Sequence, residues 1–315
     1  MRQTLVLAAG LGICALCNSG SALDVSDANY VVEPYATYSQ PGLKIAKHMA
    51  FDGSGNLYVT HTYSSAMWRI RPNGEAREFL TGFQAAGVEW GGGTLLGDYL
   101  YVIECSTSGG ALYRVDSNGQ ATSVASWRGP RHGAGGLRLD HLGKYGGQLF
   151  VATTSQDRIC KLSLNGQISD FSLFPGWYDG GGPGDVAFDG GELYEGLMYV
   201  SVAYAGENRH RGGVFTLDAG GNARRFAKDI VAAQRMRFDP TGDFYGELFV
   251  TGTTDYDQEA RLYRLAPDST VKEFARPNGL LGSIVFGPRG TLYVAEYDQG
   301  DQATVISRVV RKPDR

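Results

Sequence analysis

Residues 236–265 read MRFDPTGDFYGELFVTGTTDYDQEARLYRL. The run Asp239-Pro240-Thr241-Gly242 is turn chemistry: Pro fixes φ, Gly supplies φ > 0 and Asp caps its own backbone. Leu248-Phe249-Val250 and Leu262-Tyr263-Arg264-Leu265 are short β-favouring runs separated by a polar loop. The stretch predicts a strand, a tight turn, a second strand, a loop and a third strand. One such unit cannot bury both faces of its sheet, so it needs neighbours of its own kind.

The rest of the chain supplies them. The second-strand signature recurs as Leu57-Tyr58-Val59, Leu100-Tyr101-Val102, Leu149-Phe150-Val151, Met198-Tyr199-Val200 and Leu292-Tyr293-Val294, at intervals of 43 to 50 residues. A third strand follows each time, as in Trp68-Arg69-Ile70 and Tyr113-Arg114-Val115. Turns such as Pro72-Asn73-Gly74 and Ser117-Asn118-Gly119 then lead into fourth strands. Four strands per unit and six units describe an all-β protein, a six-bladed β-propeller. The sixth unit lacks a fourth strand, because the chain stops soon after Val309. The orphan run NYVVEPYAT, Asn29 to Thr37, is the expected donor, and pairing it near Val305 to Val309 closes the last blade and removes a sheet edge.

Residues 1–22 stand apart from this pattern. Arg2 is their one charge, Leu5 to Leu16 is apolar but shorter than a bilayer span, and Gly20-Ser21-Ala22 suits cleavage. We expect a signal peptide over 1–22, a propeller over 23–315, and a periplasmic or secreted product. No later segment is long and apolar enough to cross a membrane, so no membrane partner is expected. Removing 22 of 315 residues leaves 293, and losing Arg2 moves the formal charge from −4 to −5. No Lys/Arg cluster gives a footprint for nucleic acid. Cys105 and Cys160 remain, and two thiols in an oxidising compartment either pair or stay reduced.

The units FDGSGNLYVTHTYSSAMWRIRPNGEAREF and FGPRGTLYVAEYDQGDQATVISRV resemble NHL-type repeats. The chain over 48–309 is similar to the group of six-bladed propellers that includes gluconolactonases, paraoxonases and strictosidine synthases. Its last unit also resembles repeats of streptogramin lyases, with Glu296 following the second strand as an acid does there. The resemblance implies architecture more than activity. It also implies an ion held by carboxylate and Asn oxygens at the channel in the calcium-dependent members. Calcium wants six to eight oxygen ligands, and here the equivalent positions give one carboxylate and no Asn.

Those positions come from aligning the repeats: His48, Gly87, Gly136, Asp185, Arg235 and Ser283. Loops between second and third strands share the same face and add His61, Tyr63 and Glu296, and function gathers on loops held by such a scaffold. His48, His61, His132 and His210 fall on this face, while His141 lies in a turn at the opposite one. Imidazole serves as general base or metal ligand, so a divalent metal is a candidate cofactor, although the spacing matches no metal motif. We expect His48 and His61 to act as general bases or metal ligands, and Asp185 and Glu296 as catalytic acids. Arg235 would anchor an anionic group bidentately, or else pair with Asp185 as a plug in the channel. Tyr63, Trp127, Arg131 and Trp177 would offer a stacking platform for a sugar, the alternative being that they pack loops together. The run Gly180 to Gly184 is no phosphate loop, since no Lys and no helix follow it.

Two classes of function follow. One is an exported lyase or hydrolase acting on a small or carbohydrate-like, anionic substrate at the channel mouth. The other is a non-catalytic propeller that binds a ligand or a protein.

Overall fold

The computed structural model describes residues 23–40, 45–61, 64–106, 109–128, 134–154, 157–163, 165–174, 182–191, 193–203, 212–253 and 259–313. Its strands form six antiparallel sheets, and no α-helix occurs among the described residues. None of them is therefore in a helix long and apolar enough to cross a membrane. The signal peptide expected over 1–22 lies outside the described residues.

The fold is a six-bladed β-propeller. The innermost strands, in blade order, are Ala46–Phe51, Ala85–Trp90, Ala134–Leu139, Gly182–Phe188, Met236–Phe238 and Leu280–Phe286. Blades 1 to 4 run outward in chain order, as blade 3 does through Leu149–Thr153, Arg158–Leu162 and Ile168–Leu173. Apolar residues fill the gaps between blades as six separate clusters. Leu57, Val59, Ala295 and Ile306 meet between blades 6 and 1, for example, and Met236, Leu248 and Tyr199 between blades 4 and 5.

The last blade closes as the repeats require. Tyr30–Ser39 pairs antiparallel with Ala303–Arg311, with Val32 opposite Val309 and Thr37 opposite Val305. A shift in register falls between Pro34 and Ala36, where proline cannot donate to the ladder. One addition was not foreseen. Leu23–Val25 forms a fifth strand on blade 5, antiparallel to Val271–Pro277, before the chain crosses to blade 6.

At one end of the channel the turns leaving the innermost strands of blades 3, 4 and 5 are lengthened on one plan. Asp140, Asp189 and Asp239 each accept hydrogen bonds from the backbone N–H five and seven residues on, at 2.6–3.1 Å. The residue at the fifth position is aromatic and reaches the following blade. The Tyr145 hydroxyl donates to Leu217 O and accepts from Met198 N, both at 2.7 Å. Tyr194 does the same with Leu265 O and Leu248 N. Phe244 has no hydroxyl and instead stacks on Tyr30 of blade 6, with ring centroids 4.6 Å apart. Carboxylate clasps thus hold three rigid turns at this end of the ring.

Candidate functional site

Side chains alternate along a strand, so residues two apart on an innermost strand point the same way. The upper ring is the one read from the repeats: His48, Gly87, Gly136, Asp185, Arg235 and Ser283. A register shift precedes this position in blades 1, 2 and 4, as between Ala46 and His48 and between Pro183 and Asp185. Such bulges re-aim a side chain. Two residues on, about 7 Å along the channel, a second ring contains Glu89, Arg138 and Arg237.

The two rings are joined by a belt of charge. The Arg138 guanidinium donates to Glu89 Oε2 at 3.3 Å and to Asp185 Oδ2 at 2.9 Å. Arg237 donates to the same Asp185 oxygen at 3.1 Å and to Met49 O at 3.3 Å, on the far side of blade 6. Backbone N–H groups of Val186 and Met236 complete the acceptor shell of Asp185. Gly136 makes room for this acid: a Cβ there would meet Asp185 Oδ1 at 1.6 Å. Burial pushes the Asp185 carboxyl above the usual range, and Arg138 and Arg235 pull it back. Arg235 spans the channel as well, donating to Lys47 O at 2.7 Å and Gly184 O at 2.9 Å. Burial and Arg138 lower its guanidinium to about 10, against the pull of Asp185, so it stays charged at neutral pH. Three arginines against Glu89 and Asp185 leave the belt at +1.

The structure sets Asp185 and Arg235 in one network, with Arg138 and Arg237 rather than Arg235 making the direct ion pairs to the acid. His48 stands in the same ring, fully buried, and neither ring nitrogen has a hydrogen-bond partner. Burial lowers its imidazole well below 6.5, and Arg235, Arg138 and Lys47 push it the same way. Ser283, next to it around the ring, is also buried with an unpartnered hydroxyl.

His61 and Glu296 are not brought together. They occupy the same position in the repeats of blades 1 and 6, so each faces the blade before its own. His61 turns to blade 6, with Nε2 3.1 Å from the Tyr38 hydroxyl and 3.4 Å from Thr304 Oγ1. Burial lowers it to about 3. Glu296 turns to blade 5, where Oε1 accepts from the N–H of Asn278 at 3.0 Å and of Gly279 at 3.5 Å. Its Oε2 is buried without a partner, and burial raises the carboxyl to about 7.

Trp127 lies on the outermost strand of blade 2 and packs against the apolar cluster between blades 2 and 3. Its ring covers Gly110, where a Cβ would meet it at 2.4 Å. Tyr63, Arg131, Trp177, His132 and His210 lie outside the described residues, as does the Cys105 side chain on which the pairing with Cys160 depends. Cys160 itself is buried, with Sγ 3.8 Å from Asp170 Oδ1. Among the described residues no three His, Cys, Asp or Glu gather as a metal site. Asp185 is committed to guanidinium and N–H donors, so the donor set of this ring does not fit calcium.

The second ring was missed in the sequence, although strand alternation places Glu89, Arg138 and Arg237 two positions after Gly87, Gly136 and Arg235. The clasped turns carry a signal too, Asp-x4-[Tyr/Phe]-x-Gly, repeated at Asp140, Asp189 and Asp239.

Solved structures similar to this chain include enzymes. A gluconolactonase from Xanthomonas campestris is 13% identical with a TM-score of 0.66, over 92% of this chain and 96% of that one. A putative oxidoreductase (glucose dehydrogenase) from Thermus thermophilus is 15% identical, TM-score 0.64, over 89% and 100%. A streptogramin B lyase is 15% identical, TM-score 0.58, over 90% and 98%. The likeness is one of fold. No protein-family model and no curated sequence matches the chain.

Proposed function

We propose that this chain is an exported propeller enzyme, a lyase or hydrolase. Its small, carbohydrate-like and anionic substrate binds at the channel end where His48 and Arg235 meet. The supporting observation is His48, a fully buried imidazole in the channel wall with both nitrogens unpartnered. Buried polar groups are hydrogen-bonded as a rule, so an unpartnered one in a channel marks a place for a ligand or a water. Arg235 spends Nε and one terminal nitrogen on two carbonyls, and a guanidinium has further N–H donors for an anion. Burial depresses His48 most and the positive charges beside it add to that, so an anionic group there would offset the second effect and make the imidazole a better base once substrate is present. Glu296, titrating near 7, is the second proton-transfer group. Asp185 orients the arginines.

The test is a screen of purified protein against sugar lactones and uronic-acid sugars, followed by His48→Asn and Arg235→Gln with folding checked by circular dichroism. Loss of a general base lowers turnover about 10²- to 10⁴-fold. Near-full turnover in folded His48→Asn would end this reading. A second reading, a binding propeller without catalysis, draws on the internal satisfaction of Asp185 and the Tyr38 partner of His61. It predicts saturable binding of the same compounds without turnover.

A further inference from the structure

The end of the channel away from His48 and Arg235 opens into a cavity of about 650 Å³. Glu89, Arg138 and Arg237 form its floor, and His141 stands beside Glu89 with Nε2 3.5 Å from Oε1. The clasped turns of blades 4 and 5 make its walls, presenting Leu193, Phe238, Pro240 and Tyr245. We propose that this cavity is a second binding site, for a small monocarboxylic acid with an aromatic or branched apolar body. The carboxylate rests on the Arg138 and Arg237 guanidiniums and the body lies against Leu193, Phe238 and Tyr245. The site goes beyond the function proposed above and does not depend on it.

Four observations carry this. The volume falls within the roughly 300–1,000 Å³ of small-molecule sites, and an apolar wall with a few convergent polar groups is their usual make-up. Arg138, with a side chain only 6% exposed, keeps a buried Nε–H that has no acceptor. An unpartnered buried donor costs free energy that an incoming carboxylate recovers. The wall acids do not compete for the floor, because Asp189 accepts from the N–H of Gly191, Tyr194 and Gly196 and Asp239 from those of Thr241, Phe244 and Gly246. Finally, Leu193 and Tyr245 stand 60% and 52% exposed at the cavity, and Tyr245 holds φ at +65°. A left-handed conformation is strained for a non-Gly residue. Its counterpart in blade 3 is Gly146, so the turn does not need the ring for its own geometry.

Charge selects the class. Arg138, Arg235 and Arg237 against Glu89 and Asp185 leave the belt beneath the cavity at +1 with His141 neutral. That accommodates one negative charge and disfavours a dianion such as a phosphate monoester. The guanidiniums in turn disfavour a cation.

The test uses the full protein with 2-naphthoate and its uncharged isostere 2-naphthamide, by isothermal titration calorimetry. Naphthoate should bind saturably and at least about 10-fold more tightly than the amide, since a hydrogen bond to a charged group is worth that much or more. Arg237→Gln should weaken naphthoate about 10- to 100-fold. Because Arg237 also holds Asp185, that variant can fail to fold. Leu193→Glu, at an exposed position, then decides the matter, and should weaken naphthoate while leaving the melting curve unchanged. Equal binding of acid and amide overturns the proposal, as does no saturable binding of naphthoate. So does naphthoate binding that survives Leu193→Glu but is lost in Arg235→Gln, which would place the acid at the other end of the channel.

Discussion

Replacing Glu296 by Gln should make the protein more stable, and by an amount that depends on pH. The Glu296 carboxyl is 1% exposed, and burial holds its pKa near 7 against an ordinary 4.5. Below about pH 4.5 the acid is protonated in both folded and unfolded chains and contributes no difference. As pH rises from 4.5 to 7 the unfolded chain releases the proton while the folded protein keeps it, so stability falls across that window and levels off above it. The difference of 7 − 4.5 = 2.5 units, at about 1.36 kcal/mol per unit, amounts to about 3 kcal/mol at pH 8. Glutamine keeps an oxygen for the N–H groups of Asn278 and Gly279 and removes the charge. Urea denaturation of both proteins at pH 4.5, 6 and 8 should show a gap that is small at pH 4.5 and grows to about 3 kcal/mol at pH 8. A gap that does not change with pH, or a variant less stable at pH 8, would refute the reasoning.

Acid should act through His61 in the opposite direction. The unfolded chain takes up a proton near pH 6.5 and the folded protein only near 3, so stability falls as pH drops through that range. His61→Gln should flatten the fall, read as the slope of urea stability between pH 7 and 4. Tyr145→Phe removes a hydroxyl that serves both Leu217 O and Met198 N and should cost about 2–3 kcal/mol by the same assay. An unchanged midpoint would mean that the clasped turns do not tie blade 3 to blade 4. Deleting residues 23–39 strips the outer strand from blade 6 and the fifth strand from blade 5. A thermal midpoint lowered by less than a few degrees would show that these strands add little to the ring.

The architecture was legible because Leu57-Tyr58-Val59 and its five counterparts repeat the same instruction, and because a missing strand at one end matched a spare one at the other. Leu23–Val25 was not legible, since three residues carry no period. The upper channel ring could be read by alignment, but the partners of its members could not. Asp185 pairs with Arg138 and Arg237 from neighbouring blades, and a repeat read one at a time does not show which side chains meet across the channel. His61 and Glu296 looked like neighbours because blades 1 and 6 adjoin. Their identical place in the repeat sends both the same way round the ring, so a whole sheet stands between them.

The shared last blade also sets a timetable for synthesis. Tyr30–Ser39 is made well before its partner Ala303–Arg311. At about 5–20 residues per second, the 263 residues between Ser39 and Ala303 take roughly 13 to 53 s to assemble. Through that interval the early strand, with Tyr30, Val31, Val32 and Tyr38, has no partner in its own blade and could join the same strand of a second nascent chain. Glu33 and Pro34 sit in its middle, a charge and a residue without an N–H. Such residues discourage strands from pairing edge to edge. In the finished ring Pro34 coincides with the shift in register and Glu33 pairs with Arg308, so both are accommodated once the correct partner arrives.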